Sequence, residues 1–174
     1  MPGRGKTSWT LAELLAADFP EPKWVVPGLL PVGLAHLGGR PKLGKSWLAL
    51  QLAVAVGAGG YFLNRKVERG GVLYIALEDS PRRLADRLRK MGATPSEAVR
   101  FETDWPPLDL RDVDGTRPGY TALATLAYSG QVRLIIIDTL ARAFGKRDWN
   151  DVADATGALG DLQRLALEAE CCIL

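Results

Sequence analysis

Cysteine and histidine are nearly missing from this chain of 174 residues: there are two cysteines, adjacent at Cys171 and Cys172, and one histidine, His36. Neighbouring cysteines in an apolar run make a poor disulfide pair and half of no recognisable metal site, which leaves buried, reduced thiols. A lone histidine inside an expected strand reads as a packed core residue, since one imidazole does not build a metal site. Charge of one sign is not in excess either. A formal net charge of +2 is too small to argue for nucleic acid or membrane, so any basic partner surface must come from local clustering. Long apolar runs are also missing. Arg4 and Lys6 precede Leu11 to Phe19, but Glu13 and Asp18 interrupt that run, so it does not read as a secretory signal. The most apolar window, Leu48 to Leu63, is broken by Gln51 and glycines and is too short to span a bilayer, so no membrane partner and a cytoplasmic location are expected.

With 47% apolar and 24% charged residues the chain can bury one ordinary core, and no internal repeat of solenoid length is visible. Thr10 with Glu13 is a capping-box pattern, predicting a short helix over about Leu11 to Ala17. The Pro-rich stretch from Pro20 to Pro31, with Trp24 inside it, reads as an extended arm lying on the domain. Beyond it, apolar runs at Leu34 to Leu37, Val72 to Leu77 and Val132 to Ile137 read as buried parallel strands, with a weaker strand at Val99 to Glu102. Helical patterns lie between and after them at Lys45 to Val56, Pro81 to Met91, about Gly119 to Ser129 and Val152 to Ala169. The second is punctuated by Ser80 as N-cap, Pro81 in its first turn and Gly92 past its end. Strands alternating with helices predict an α/β sheet with right-handed crossovers. Residues 1–31 are expected as an N-terminal helix and arm, and 32–174 as the core. Cys171 to Leu174 looks like the start of a further buried strand, so the core is expected to be cut at its C-terminal strand.

Gly39-Arg40-Pro41-Lys42-Leu43-Gly44-Lys45-Ser46 satisfies G-x-x-x-x-G-K-[ST] at every constrained position, after an expected strand and at the start of an expected helix that continues with Trp47. Glycines let backbone amides converge on phosphate oxygens, and a helix N-terminus adds a favourable dipole. Lys45 would then reach the β- and γ-phosphates and Ser46 would ligate magnesium. The bland alternative is a structural turn. The earlier Gly3-to-Ser8 run, GRGKTS, fails the same pattern because its first glycine would precede Met1, and it reads as a flexible terminus.

Leu134 to Asp138 is an apolar strand ending in a carboxylate, which would put Asp138 at the carboxyl edge of a parallel sheet, holding magnesium through water. Some P-loop ATPases carry a catalytic glutamate directly after this acid, but here the next residue is Thr139. The base must then come from elsewhere, and Glu78, at the end of the Val72 to Leu77 strand, is the candidate, with Asp79 as helix cap or support. Alternatively both acids merely complement the helix opening at Pro81. Arg82, Arg83, Arg87, Arg89 and Lys90 form either a solvated basic face or a contact for a neighbouring phosphate or nucleic acid. The loop from Ala141 to Asn150 mixes Arg142, Lys146 and Arg147 with Phe144 and Trp149, a composition that suits single-stranded nucleic acid as well as a plain surface loop.

Together GRPKLGKS, LALEDSPRRLADRL, LIIIDTLAR, Asn150-Asp151 and the helix GALGDLQRLALEA resemble the RecA-like P-loop ATPases of the plasmid and phage RepA replicative-helicase type, a group of AAA family ATPases. The resemblance runs from about Trp24 to the last residue. It implies a three-layer αβα RecA-like P-loop NTPase fold with a mainly parallel sheet, ATP and Mg²⁺ as cofactors, a hexameric ring of identical subunits, and Glu78 as the catalytic carboxylate. It also implies that the strand beginning near Cys171 lies between the strands before Lys45 and before Asp138. The expected function is a DNA helicase motor in replication, contacting single-stranded DNA through Arg142, Lys146 and Arg147. The alternatives are a RecA-like regulatory or recombination-accessory module that binds ATP without unwinding, and a small-molecule kinase, for which no second substrate site is visible.

Overall fold

A computed structural model describes residues 7–145 and 152–174. Thr10 opens the first helix, α1 (Leu11–Ala16), by the expected box: its hydroxyl accepts from the Glu13 amide while the Glu13 carboxylate accepts from the Thr10 amide at 2.8 Å. None of its residues is buried. The Pro-rich stretch is less simply extended than its prolines imply, because Trp24–Val26 (β1) and Leu30–Pro31 (β2) pair as an antiparallel hairpin. Its turn places Gly28 at φ +67°, a left-handed conformation reached without strain by glycine, and closes with the Leu29 amide on the Val26 carbonyl at 3.0 Å. Val25, Val26 and Leu30 are buried in the core.

After Gly33–Leu34 (β3) the chain enters α2 (Lys45–Ala58), then a small hairpin of Tyr61–Phe62 (β4) and Arg65–Lys66 (β5). There follow β6 (Gly71–Ala76), α3 (Pro81–Lys90), β7 (Val99–Glu102), α4 (Pro118–Tyr128), β8 (Val132–Asp138), the single turn α5 (Leu140–Ala143), α6 (Val152–Glu168) and β9 (Cys172–Ile173). Five parallel strands form one sheet in the order β3-β9-β8-β6-β7. The sheet has helices on both faces, as an all-parallel sheet must, because crossovers cover it on each side. β9 takes the place between β3 and β8 that the resemblance implies.

Alternation along the strands sorts two cores. Val72, Tyr74 and Ala76 of β6, with Leu134 and Ile136 of β8, pack toward α2 and Leu84 of α3. Leu73, Ile75, Ile135 and Ile137 face Leu123 of α4, with Leu162 and Leu165 of α6. The same period of two sends the adjacent cysteines apart, Cys172 into the first core and Cys171 into the second. Burial raises both thiols, Cys171 to about 11 and Cys172 to about 12. Both are free, buried thiols, an environment that disfavours the reactive thiolate at neutral pH.

Among helical glycines Gly119 matters most. A Cβ there would lie 2.1 Å from the Pro106 carbonyl oxygen, and Trp105 Nε1 donates to the Gly119 carbonyl at 3.1 Å. Helix propensity alone would reward alanine by about 1 kcal/mol. The clash is with backbone, so Gly119→Ala should instead destabilise by about 1–3 kcal/mol, as overpacked sites do. Urea unfolding decides the sign.

Candidate functional site

Each strand of the central sheet delivers its chain to the same edge. β3 ends at Leu34, and the amides around it are satisfied: Gly33 and Ala35 donate to the Cys171 and Ile173 carbonyls at 3.0 and 2.8 Å, while Leu34 donates to the Gln163 side chain of α6 at 2.9 Å. β3 pairs with β9 at Gly33 and Leu34, a shorter strand than the Leu34-to-Leu37 run predicts. His36 lies beyond it and is not a packed core residue. It is exposed and lines the cleft above the strand.

The loop that follows is exposed from Gly38 to Leu43 and turns into α2 at Gly44. Gly44 occupies the N-cap position at φ +85° and provides no side-chain cap. The first amides of a 14-residue helix therefore have no side-chain acceptor from their own cap, which is the condition for receiving an anion. Lys45 folds back across the loop, its Nζ donating to the carbonyls of Gly39 at 2.7 Å and Arg40 at 3.0 Å. Trp47, one residue past Ser46, lies beneath the Arg87 guanidinium of α3 at 5.6 Å from the ring centroid. Arg87 in turn pairs with Asp79, which Arg83 also meets at 3.2 Å, while the Ser80 hydroxyl takes the N-cap of α3. Asp79 thus ties α3 to the end of β6 rather than capping the helix.

A cleft of about 630 Å³ opens at this edge. Gly39, Lys45 and Ser46 line one side, Asp138 and Thr139 another, with Leu159 and Leu162 of α6 closing it. The sheet register explains why Asp138 arrives there: Ala76 of β6 pairs with Asp138 at the end of β8, and the Leu77 amide donates to the Asp138 carbonyl at 2.7 Å. The peptide between Asp138 and Thr139 is cis. With Ala76 and Asp138 in register, Glu78 leaves β6 beside Thr139, whose hydroxyl donates to Glu78 Oε1 at 3.1 Å. Glu78 is not part of the cleft lining but stands at its rim, its side chain 52% exposed, with Arg142 Nε 3.9 Å from the same oxygen.

Sequence reasoning missed two members of this arrangement. Thr139 attracts notice in the sequence only as the residue standing where an acid might be, yet it is the group that meets Glu78. Tyr74, fully buried, donates its hydroxyl to Asp138 Oδ2 at 2.8 Å. Burial first, and the Asp138 charge second, push that phenol far above its ordinary range, so it is a donor at every physiological pH. An aromatic in an otherwise aliphatic strand was the only signal.

The basic loop divides. Arg142 is exposed, but Phe144, grouped with it as a stacking surface, is 2% exposed and belongs to the core beside Leu108. The physical reason is the turn α5, which folds the start of the loop inward so that Leu108 donates to the Ala143 carbonyl at 2.8 Å. Lys146, Arg147 and Trp149 lie outside the described residues.

The donors present fit a nucleotide phosphate and a divalent cation. Among the described residues no group of three or more His, Cys, Asp or Glu could hold a metal. A cation here would instead rest on the Ser46 hydroxyl, the Asp138 carboxylate through water, and substrate phosphates, the ligand set magnesium accepts. Among the described residues no helix is long and apolar enough to cross a membrane. A family model described as an AAA domain matches residues 3–174, a span that includes the loop, Glu78 and Asp138. The uncapped helix behind a glycine-flanked loop, at the carboxyl edge of a parallel sheet, lies within that match, and the chain belongs to the AAA domain family of P-loop ATPases.

Proposed function

We propose that the chain hydrolyses ATP as the motor domain of a RepA-type replicative DNA helicase. The observation that carries the catalytic part is the convergence of Lys45, Ser46 and Asp138 on one cleft, with Glu78 joined to it through Thr139. Residues Gly39 to Trp47 hold the nucleotide: backbone amides of the loop and of the start of α2 bind the phosphate oxygens, and Lys45 exchanges its two carbonyl contacts for the β- and γ-phosphates. Ser46 and Asp138 would hold a magnesium ion, which when bound would supply charge neutralisation for the phosphates. Glu78 takes a proton from the attacking water as that water's oxygen bonds to the γ-phosphorus, and ADP leaves as inorganic phosphate forms.

Arg142 supports coupling to DNA. A surface pair at 3.9 Å is weak, and a nucleic-acid phosphate drawn to Arg142 would compete with Glu78 for it. Lys146 and Arg147, which lie outside the described residues, are assigned to the same DNA contact on their charge alone. Assembly as a ring of identical copies is supported by α1, whose apolar Leu11, Leu14 and Leu15 are exposed. The acidic residues of that segment, Glu13, Asp18 and Glu21, complement the basic β4–β5 hairpin of a second copy, where Tyr61 and Leu63 are exposed beside Arg65 and Lys66. ATP turnover of the purified protein, measured with and without single-stranded DNA, tests the motor, and light scattering tests the ring. Absence of turnover in both conditions would sink the enzyme reading. Turnover indifferent to DNA, with no unwinding of a forked duplex, would favour an ATP-dependent regulatory or recombination-accessory module.

A further inference from the structure

We infer that Tyr74 is a positioning residue for Asp138, holding one carboxylate oxygen so that the other is presented in a fixed direction to the magnesium that accompanies the nucleotide. This goes beyond the proposed function while resting on its assignment of Asp138 to the metal. The contact follows from the register. Tyr74 pairs with Ile136 and Ala76 with Asp138, so Tyr74 and Asp138 share one face of the sheet on neighbouring strands, offset by a single pleat. A tyrosine leaning along its strand spans that offset, and the hydroxyl meets Oδ2 at 2.8 Å.

The ring cannot swing away. It has no exposed surface, and Phe101, its register partner on β7, packs against it with ring centroids 5.4 Å apart. Asp138 is held less firmly, being only half-buried at the cleft. The terminal torsion of an aspartate is broad, so a carboxylate without a second-shell bond sweeps over a range of orientations. Among the described residues Tyr74 provides the one side-chain hydrogen bond that Asp138 accepts. A phenol donating to a carboxylate is a charge-assisted bond, stronger than a neutral pair and directional enough to fix the group. An aliphatic side chain would fill the same core space, so packing alone does not account for a hydroxyl aimed at this acid.

The test uses the whole chain and a fluorescent ADP, titrated in EDTA and then against Mg²⁺. Tyr74→Phe keeps the ring and removes only the bond. It should leave nucleotide affinity in EDTA unchanged and raise the Mg²⁺ concentration needed for half-maximal effect by about tenfold, the lower end of outer-shell effects on metal affinity. Phe101→Leu, which frees the ring but keeps the hydroxyl, should shift the same midpoint by a smaller factor. Asp138→Asn separates the two levels. If it abolishes the Mg²⁺ response while Tyr74→Phe titrates like the parent, the positioning role is wrong and the metal assignment stands. If Asp138→Asn also titrates like the parent, the metal assignment falls and the role of Tyr74 falls with it. A Tyr74→Phe protein that loses affinity equally in EDTA and in Mg²⁺ would reveal a general structural role and overturn the inference.

Discussion

Replacing Glu78 with glutamine should slow ATP turnover by a factor of about 10²–10⁴, the usual contribution of a positioned general base, while leaving nucleotide affinity within twofold or so of the parent. The amide is isosteric with the carboxylate and can still accept from the Thr139 hydroxyl, so the rim of the cleft keeps its shape. What it loses is the ability to take a proton from water. Affinity is preserved because Glu78 lies outside the cleft lining, and the phosphates meet Lys45 and the start of α2 instead. The pair with Arg142 also weakens, which frees that cation, so DNA binding should not fall. Single-turnover rates and nucleotide titrations on the same preparation check both halves. Unchanged turnover would move the base to another residue.

Replacing Lys45 with alanine should remove binding and hydrolysis together. A charge-assisted hydrogen bond contributes about 1.5–3 kcal/mol, so ATP affinity should drop by one to two orders of magnitude. Loss of charge stabilisation in the transition state should take a further factor of about 10²–10³ from turnover. Fold stability should hardly move, because the Gly39 and Arg40 carbonyls that Lys45 occupies are exposed and water replaces it. Arginine should rescue poorly, since its planar fork cannot substitute for a compact ammonium reaching between phosphates. Isothermal titration and thermal melts with and without nucleotide separate these effects. The two substitutions thus split in opposite ways, Glu78→Gln sparing affinity and Lys45→Ala destroying it.

The elements legible in advance were those whose chemistry is local. β6 and β8 are dominated by apolar runs, Val72 to Ala76 and Leu134 to Ile137, and the expected bounds lie within a residue or two of those observed. β7 was found at its observed bounds, Val99–Glu102. The loop at Gly39 to Ser46 was legible because its spacing is a local constraint on backbone and charge. The β1–β2 hairpin was hidden by its prolines, although Pro27-Gly28 is itself the signature of the turn that closes it. The β4–β5 hairpin was hidden by Leu63, which sits with Asn64 in a left-handed two-residue turn usually given to Asn-Gly. His36 and Phe144 failed for a different reason. Whether a strand continues, or an aromatic faces inward, depends on partners far along the chain: β9 for the first and Leu108 for the second. The link from Tyr74 to Asp138 is of this kind too, since it exists only once β6 and β8 are in register.

The position of β9 has a consequence for the order in which the molecule is made. The strand that leads into the phosphate loop, β3, pairs only with β9, near the opposite end of the sequence. The pairings of β6 with β7 and of β6 with β8 need no residue beyond β8, whereas β8 with β9, like β3 with β9, waits for the segment after α6. Until that segment is present β3 has no strand to pair with among the described residues, and the β3–β9 contact, the most widely separated in the sheet, carries the largest loop-closure cost. Until then the nucleotide edge has no floor. Docking of β3 on β9 is thus a precondition for setting the glycine-flanked loop on the sheet, and a chain without β9 would carry the loop residues without the scaffold that aims them.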